Sequence, residues 1–130
     1  AMDVFKTHGA ISWSELMTGD PAAAGAFYAK LFGWTVKAMP MGGDIGDYHV
    51  ANVGETGIGG IMGTPPAAQG VPPHWGIYVT VDSVDESLAL AKSLGATVCM
   101  EPMDVPGVGR MATFNDPQGA TISIIQYKSS

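Results

Sequence analysis

Polar and apolar positions along this chain run through one pattern twice. Ile11 to Thr18 alternates imperfectly and predicts a strand. Asp20 then stands as a helix cap, with Pro21 at the first helical position, where a missing N–H costs nothing. Ala24, Phe27, Tyr28 and Leu31 follow at helical spacing and predict the face turned to the core. Gly33 sits where a left-handed C-terminal residue belongs. Extended patterns return at 35–39, 48–53 and 57–62. The second pass opens with a strand over 76–81, on which Ile77, Val79 and Val81 share a face. Ser83-Val84-Asp85-Glu86 fits a capping box. Val84, Leu88, Ala91 and Leu94 form the apolar stripe of the second helix, and Gly95 ends it. Strands are predicted again over 97–103, 110–115 and 120–127, the last two joined by the turn Asp116-Pro117-Gln118-Gly119.

The two passes are copies. An offset of 62 positions lays Trp13 on Trp75, Thr18 on Thr80, Asp20 on Asp82 and Gly33 on Gly95. The same offset matches Thr35-Val36 with Thr97-Val98 and Gly57 with Gly119, all without a gap. The matches fall on helix ends and turns, where identity constrains the backbone most. The chain therefore reads as one domain over 1–130, with module one at about 8–63, a proline-rich joint at 64–73 and module two at about 74–128. Each module reads βαβββ. The expected class is α+β: two tandem βαβββ modules whose eight strands curl into a half-open barrel, helices outside and a ligand cavity between the repeats. The competing ferredoxin-like sandwich needs βαββαβ order and leaves one strand per repeat unexplained.

Composition narrows the function. Hydrophobic residues make up 46% and charged residues 14%, enough to build a core. Six basic against twelve acidic residues give a net charge of −6, which disfavours nucleic acid as a partner. No apolar run reaches about 18 residues, so no membrane-spanning helix is expected. The chain shows no signal-peptide pattern, and a cytoplasmic location is expected. The lone Cys99 has no cationic neighbour and reads as an inert strand residue. Eight methionines suit either an adaptable pocket lining or an irregular core.

Residues 19–34, from Gly19-Asp20-Pro21 through Phe27-Tyr28 to Phe32-Gly33-Trp34, carry a resemblance, as do Val105-Pro106-Gly107-Val108-Gly109-Arg110 and Asn115-Asp116-Pro117-Gln118-Gly119. They resemble the vicinal oxygen chelate superfamily, which includes glyoxalase I, bleomycin-resistance proteins and extradiol dioxygenases. The resemblance covers nearly the whole chain and speaks to fold more than to reaction. It implies a divalent metal held by four His or Glu side chains on the first and last strands of each module, acting as a Lewis acid. Those positions map to Trp13, Ile61, Gly76 and Ser123, none of which is a good ligand. No cofactor is therefore expected, and a divalent metal is the alternative. The resemblance also implies a homodimer.

Glu15 shares a strand face with Trp13 in a strand with no other charged residue. Buried in an apolar cup, its carboxyl would be pushed toward a higher pKa, as a general base requires; the alternative is a structural Glu bonded to backbone or to a neighbouring Tyr. Candidate ligand contacts are Trp13, Glu15, His49, His74, Trp75, Tyr78 and Ser123. Trp13, Trp75 and Tyr78 offer flat faces to an aromatic ligand, although the two indoles also suit packing. A lone histidine is more often a hydrogen-bonded structural residue than a ligand, and a shifted metal site of Glu15, His49 and His74 has no support from spacing. His8 is expected to be solvated, and Arg110 to form a surface ion pair. Three functions fit: a protein that binds a small organic or aromatic metabolite or drug, a metal-dependent glyoxalase-like lyase, isomerase or dioxygenase, and a metal-independent enzyme with Glu15 as base.

Overall fold

The computed structural model describes residues 2–40, 47–64 and 70–128. The elements run β1 (Ile11–Thr18), α1 (Pro21–Phe32), β2 (Thr35–Pro40), β3 (Asp47–Val53), β4 (Thr56–Gly63), β5 (His74–Thr80), α2 (Val84–Ser93), β6 (Thr97–Val105), β7 (Gly109–Asn115) and β8 (Thr121–Tyr127). The class is α+β, and the order is βαβββ twice, which excludes the ferredoxin-like alternative. Residues 65–69, half of the joint at 64–73, lie outside the described residues. The chain divides into two compact units, residues 13–76 and residues 77–130 with 1–12, so the boundary falls within β1 and within β5.

In the first unit the strands lie in the order β2-β3-β4-β1. The hairpins are antiparallel, while β1 joins β4 in parallel with Glu15 beside Gly60 and Leu16 beside Ile61. Helix α1 makes that parallel return possible. Asp20 caps it by accepting a hydrogen bond from Ala23 N at 3.1 Å. Gly33 closes it at φ 75°, with its N–H on Ala29 O at 2.8 Å. Among the residues of α1 only Gly25 is fully buried, and a Cβ there would lie 3.3 Å from Val36 Cγ1. The helix thus seats on the sheet through its small residues. Phe27 and Leu31, expected on the core face, are instead 59% and 57% exposed. Periodicity located an apolar stripe, but the close seat at Gly25 decided which face packs inward.

In the second unit the order is β5-β8-β7-β6, with β5 parallel to β8 and Tyr78 beside Ser123. Ser83 caps α2 by accepting from Glu86 N at 3.2 Å. The core lies between α2 and the sheet and is formed by Val81, Val84, Leu88, Ala112 and Ile124, flanked by Val79, Val98 and Phe114. Leu94, expected in this stripe, is 69% exposed beyond the last helical turn. The N-terminal segment completes the unit: Gly9 N donates to Thr80 O, Thr80 N to Ala10 O, and Thr80 Oγ1 to Val4 O. His8 is exposed, as expected, and also accepts a 2.9 Å bond from Asp82 N at Nδ1.

The internal repeat is not in one register. Glu15 and Gly60 on the first unit's helix-free face correspond to Tyr78 and Ser123 in the second, 63 positions on. The caps Asp20 and Ser83 are also 63 apart, whereas Gly33 and Gly95 are 62 apart. The second helix segment is one residue shorter, and that difference absorbs the change. Slipping a strand by one residue turns each side chain to the other face. The structural counterpart of Trp13 is therefore Gly76, and that of Ser123 is Gly60.

Candidate functional site

The helix-free face of the first unit carries a buried polar chain. Trp13 and Glu15 point there from alternate positions of β1, and Tyr48 reaches them from β3. Trp13 Nε1 donates to Tyr48 Oη at 2.9 Å, and Tyr48 Oη donates to Glu15 Oε2 at 2.7 Å. Glu15 is only 9% exposed. A carboxylate that far from water needs such a partner, because the uncompensated charge would be costly. Each donor in the series polarises the next, so the chain ends in an acceptor held in one place. Strand β4 makes room for it. A Cβ on Gly60 would collide with the ring and hydroxyl of Tyr48, and one on Gly57 would lie 3.8 Å from Trp13 Cη2. Gly57 and Gly60 of β4 therefore form a floor over which the aromatic side chains cross.

Tyr48 is the residue that sequence reasoning missed. A neighbouring tyrosine was one of two readings of Glu15, but nothing in the local pattern selected it. The signal was there in combination: Tyr48 alternates with His49, and a glycine-rich strand must face something large.

The helix-free face of the second unit is milder. Tyr78 is 8% exposed, with its hydroxyl 3.9 Å from Met111 Sδ. Thr113 Oγ1 and Ser123 Oγ share a 2.7 Å hydrogen bond. Tyr127 shares one of 2.7 Å with Ser12. Burial raises the Tyr127 pKa above the ordinary phenol value, and the Ser12 hydrogen bond partly opposes this.

The other candidates stand elsewhere. His49 lies on the opposite face of β3 from Tyr48, under α1, where it lines a cavity of about 340 Å³ with Gly25 and Val36. Its Nδ1 is buried with no hydrogen-bond partner among the described residues. His74 is exposed, with its Nδ1 2.8 Å from Pro72 O, and holds the approach to β5. Trp75 turns away from Gly76 and Tyr78, and its Nε1 donates to Tyr28 Oη at 3.3 Å. Ile61 is fully buried on the His49 side of β4, so Gly60 replaces it among the mapped metal positions.

The donors do not fit the family's metal. Indole and hydrogen side chains occupy three of the four corrected positions, Trp13, Gly60 and Gly76, and the hydroxyl at Ser123 is engaged with Thr113. Among the described residues no three His, Cys, Asp or Glu side chains gather. Arg110 forms the expected ion pairs, with Asp85 at 3.0 Å and Asp104 at 3.1 Å.

Residues 10–124 match the Glyoxalase/Bleomycin resistance protein/Dioxygenase superfamily, and the chain belongs to that family. It is 40% identical over 118 residues to the putative glyoxylase CFP32 of Mycobacterium tuberculosis, covering 91% of this chain and 44% of that protein. It is 33% identical over 127 residues to the anthracycline biosynthesis protein DnrV of Streptomyces peucetius, covering 89% and 46%. The chain thus spans less than half the length of these relatives. Among solved structures it resembles methylmalonyl-CoA epimerase from Mycobacterium tuberculosis, with TM-score 0.65, 14% identity and coverage of 93% and 89%. A Streptomyces coelicolor methylmalonyl-CoA epimerase variant with 2-nitronate-propionyl-CoA gives TM-score 0.67 at 15% identity, covering 95% and 100%. At such identities the likeness is one of fold. No described helix is long and apolar enough to cross a membrane.

Proposed function

We propose that this domain binds a small organic molecule, an aromatic metabolite or drug, against the helix-free face that carries Trp13, Glu15 and Tyr48, without the family's metal. The carrying observation is the Trp13–Tyr48–Glu15 chain of hydrogen bonds seated on Gly60. It joins two aromatic faces to one fixed carboxylate, a combination that orients a flat ligand bearing a hydrogen-bond donor. Tyr78 and Ser123 are candidate contacts on the other unit's own helix-free face. The name of the anthracycline biosynthesis relative fits a flat polycyclic ligand. Cytoplasmic residence and a homodimer belong to the same reading. The test is a ligand panel followed by Trp fluorescence and thermal shift. Binding that quenches Trp13, weakens in Tyr48→Phe and does not depend on chelator supports the reading. Loss of binding in chelator, restored by one divalent ion per chain, refutes it in favour of a metal enzyme.

A second reading has its own observation. Glu15 is a buried carboxylate held by a phenol, and such a group can take a proton from a substrate without a metal. Glu15→Gln keeps the shape and removes the base. On any substrate that is turned over, the variant should lose at least about a hundredfold in kcat. Undiminished turnover removes Glu15 from the chemistry.

A further inference from the structure

A hollow of about 340 Å³ lies under α1, on the opposite side of β3 from Tyr48. His49 of β3 and Val36 of β2 line it from the sheet. Ala22, Ala26 and Ala29 line it from the helix, where their spacing of four and then three residues sets them on one flank. The seat of Gly25 on Val36 brings helix and sheet together beside it, and the short alanine side chains leave the space open. Ala22 and Ala26 are exposed, so the hollow opens to solvent along the helix flank and a guest can enter without moving α1.

The wall is apolar except at one place. Among the described residues that line it, only His49 brings a polar side-chain atom. Its Nδ1 is shut off from solvent and has no hydrogen-bond partner among the described residues. A buried polar atom left unpaired is costly and calls for a partner. Water suits this place badly, because a buried water makes about three hydrogen bonds and the lining side chains offer only an imidazole. A molecule with an apolar body and one polar end suits both the wall and the ring. A hydroxyl is the best polar end, since it donates or accepts and so meets either imidazole tautomer. A half-turn of the imidazole about Cβ–Cγ keeps the outline of the ring, so the unpaired nitrogen can be presented to a guest. Size sets the body: a cavity of about 150 Å³ takes a benzene molecule, so this one has room for a single ring and a short substituent. We infer that the hollow under α1 is a second ligand site, for a monocyclic phenol whose hydroxyl pairs with His49. It shares no residue with the Trp13–Tyr48–Glu15 chain and does not depend on what that face binds.

Titration of the 130-residue chain with phenol, followed by carbon–proton NMR, tests this, with benzene as the probe that lacks the hydroxyl. Phenol should give saturable shifts at the His49 imidazole and at the methyl groups of Ala26 and Val36. Benzene should bind at least about fivefold more weakly, since it offers nothing to the imidazole. His49→Phe keeps a ring and removes the nitrogens, so it should erase the preference for phenol over benzene. Ala26→Leu puts a larger side chain into the hollow from an exposed helical position and should weaken phenol at least about tenfold. That variant carries the test if His49→Phe fails to fold. The absence of a saturable shift at His49 up to about 20 mM phenol overturns the inference. So does a phenol preference that survives His49→Phe, or a phenol affinity that Ala26→Leu leaves unchanged, because the phenol then sits elsewhere.

Discussion

Replacing Gly60 by alanine adds one methyl group and should cost far more than a methyl group normally does. The new Cβ would fall within the Tyr48 hydroxyl and ring, so the phenol must leave its seat. Two hydrogen bonds go with it. The Trp13–Tyr48 bond joins neutral groups and is worth about 1 kcal/mol, while the Tyr48–Glu15 bond ends on a carboxylate and is worth about 1.5–3 kcal/mol. The expected loss is about 2–4 kcal/mol, or roughly 8–16 °C in melting temperature for a domain of this size. Urea unfolding followed by far-UV dichroism and by Trp fluorescence measures it. The fluorescence should also report a changed Trp13 environment in the native state. A double-mutant cycle isolates the cause. With Tyr48→Phe the ring remains and Gly60→Ala should stay costly. With Tyr48→Ala the obstacle is gone, and the same substitution should be near neutral or gain up to about 1 kcal/mol from the reduced freedom of the unfolded chain. A wild-type penalty below about 0.5 kcal/mol refutes the seat, as does an equal penalty in the Tyr48→Ala background.

Other expectations follow from the same structure. Gly33→Ala should destabilise by about 1–2 kcal/mol, since φ 75° strains any residue with a Cβ; an urea midpoint unchanged from wild type would be the contrary result. Asp20→Ala should cost about 1 kcal/mol by leaving Ala23 N uncapped, and Asp20→Asn should restore most of it. Tyr127 titrates higher in the folded chain than in the unfolded one. The folded state therefore binds the proton more tightly, and stability falls as pH rises through and above about 10. Tyr127→Phe should flatten that alkaline loss, and an unaltered slope would assign it to another group. Arg110 bridges the exposed carboxylates of Asp85 and Asp104, so Arg110→Ala should have a small effect at low salt and none at about 1 M NaCl.

The elements were legible because each is specified locally. Asp20-Pro21 and Ser83 through Glu86 start helices by their own hydrogen bonds, Gly33 and Gly95 end the helical segments, and both caps form as expected. The repeat was legible for the same reason, since its identities fall on those punctuating residues. Facing was harder to read. An ungapped offset of 62 is right for Gly33 and Thr35 and wrong by one for β1 and β4. That single residue moved Trp75 off the helix-free face and exchanged Ile61 for Gly60. His49 lies under α1 for a related reason: one strand position turns a side chain from the helix-free face to the helix side.

The sequence by itself determined the α+β class, the doubled βαβββ order, the acidic surface, and the missing ligand types at positions 13, 76 and 123. Those follow from residue identity and short-range hydrogen bonding. Only the tertiary structure decided that Glu15 is held by Tyr48, that Gly60 of β4 seats the phenol, and that α1 turns its rings outward. Each of these depends on which side chains meet across strands far apart in the chain. That outcome is set by close packing and by register, and neither is written in any one segment.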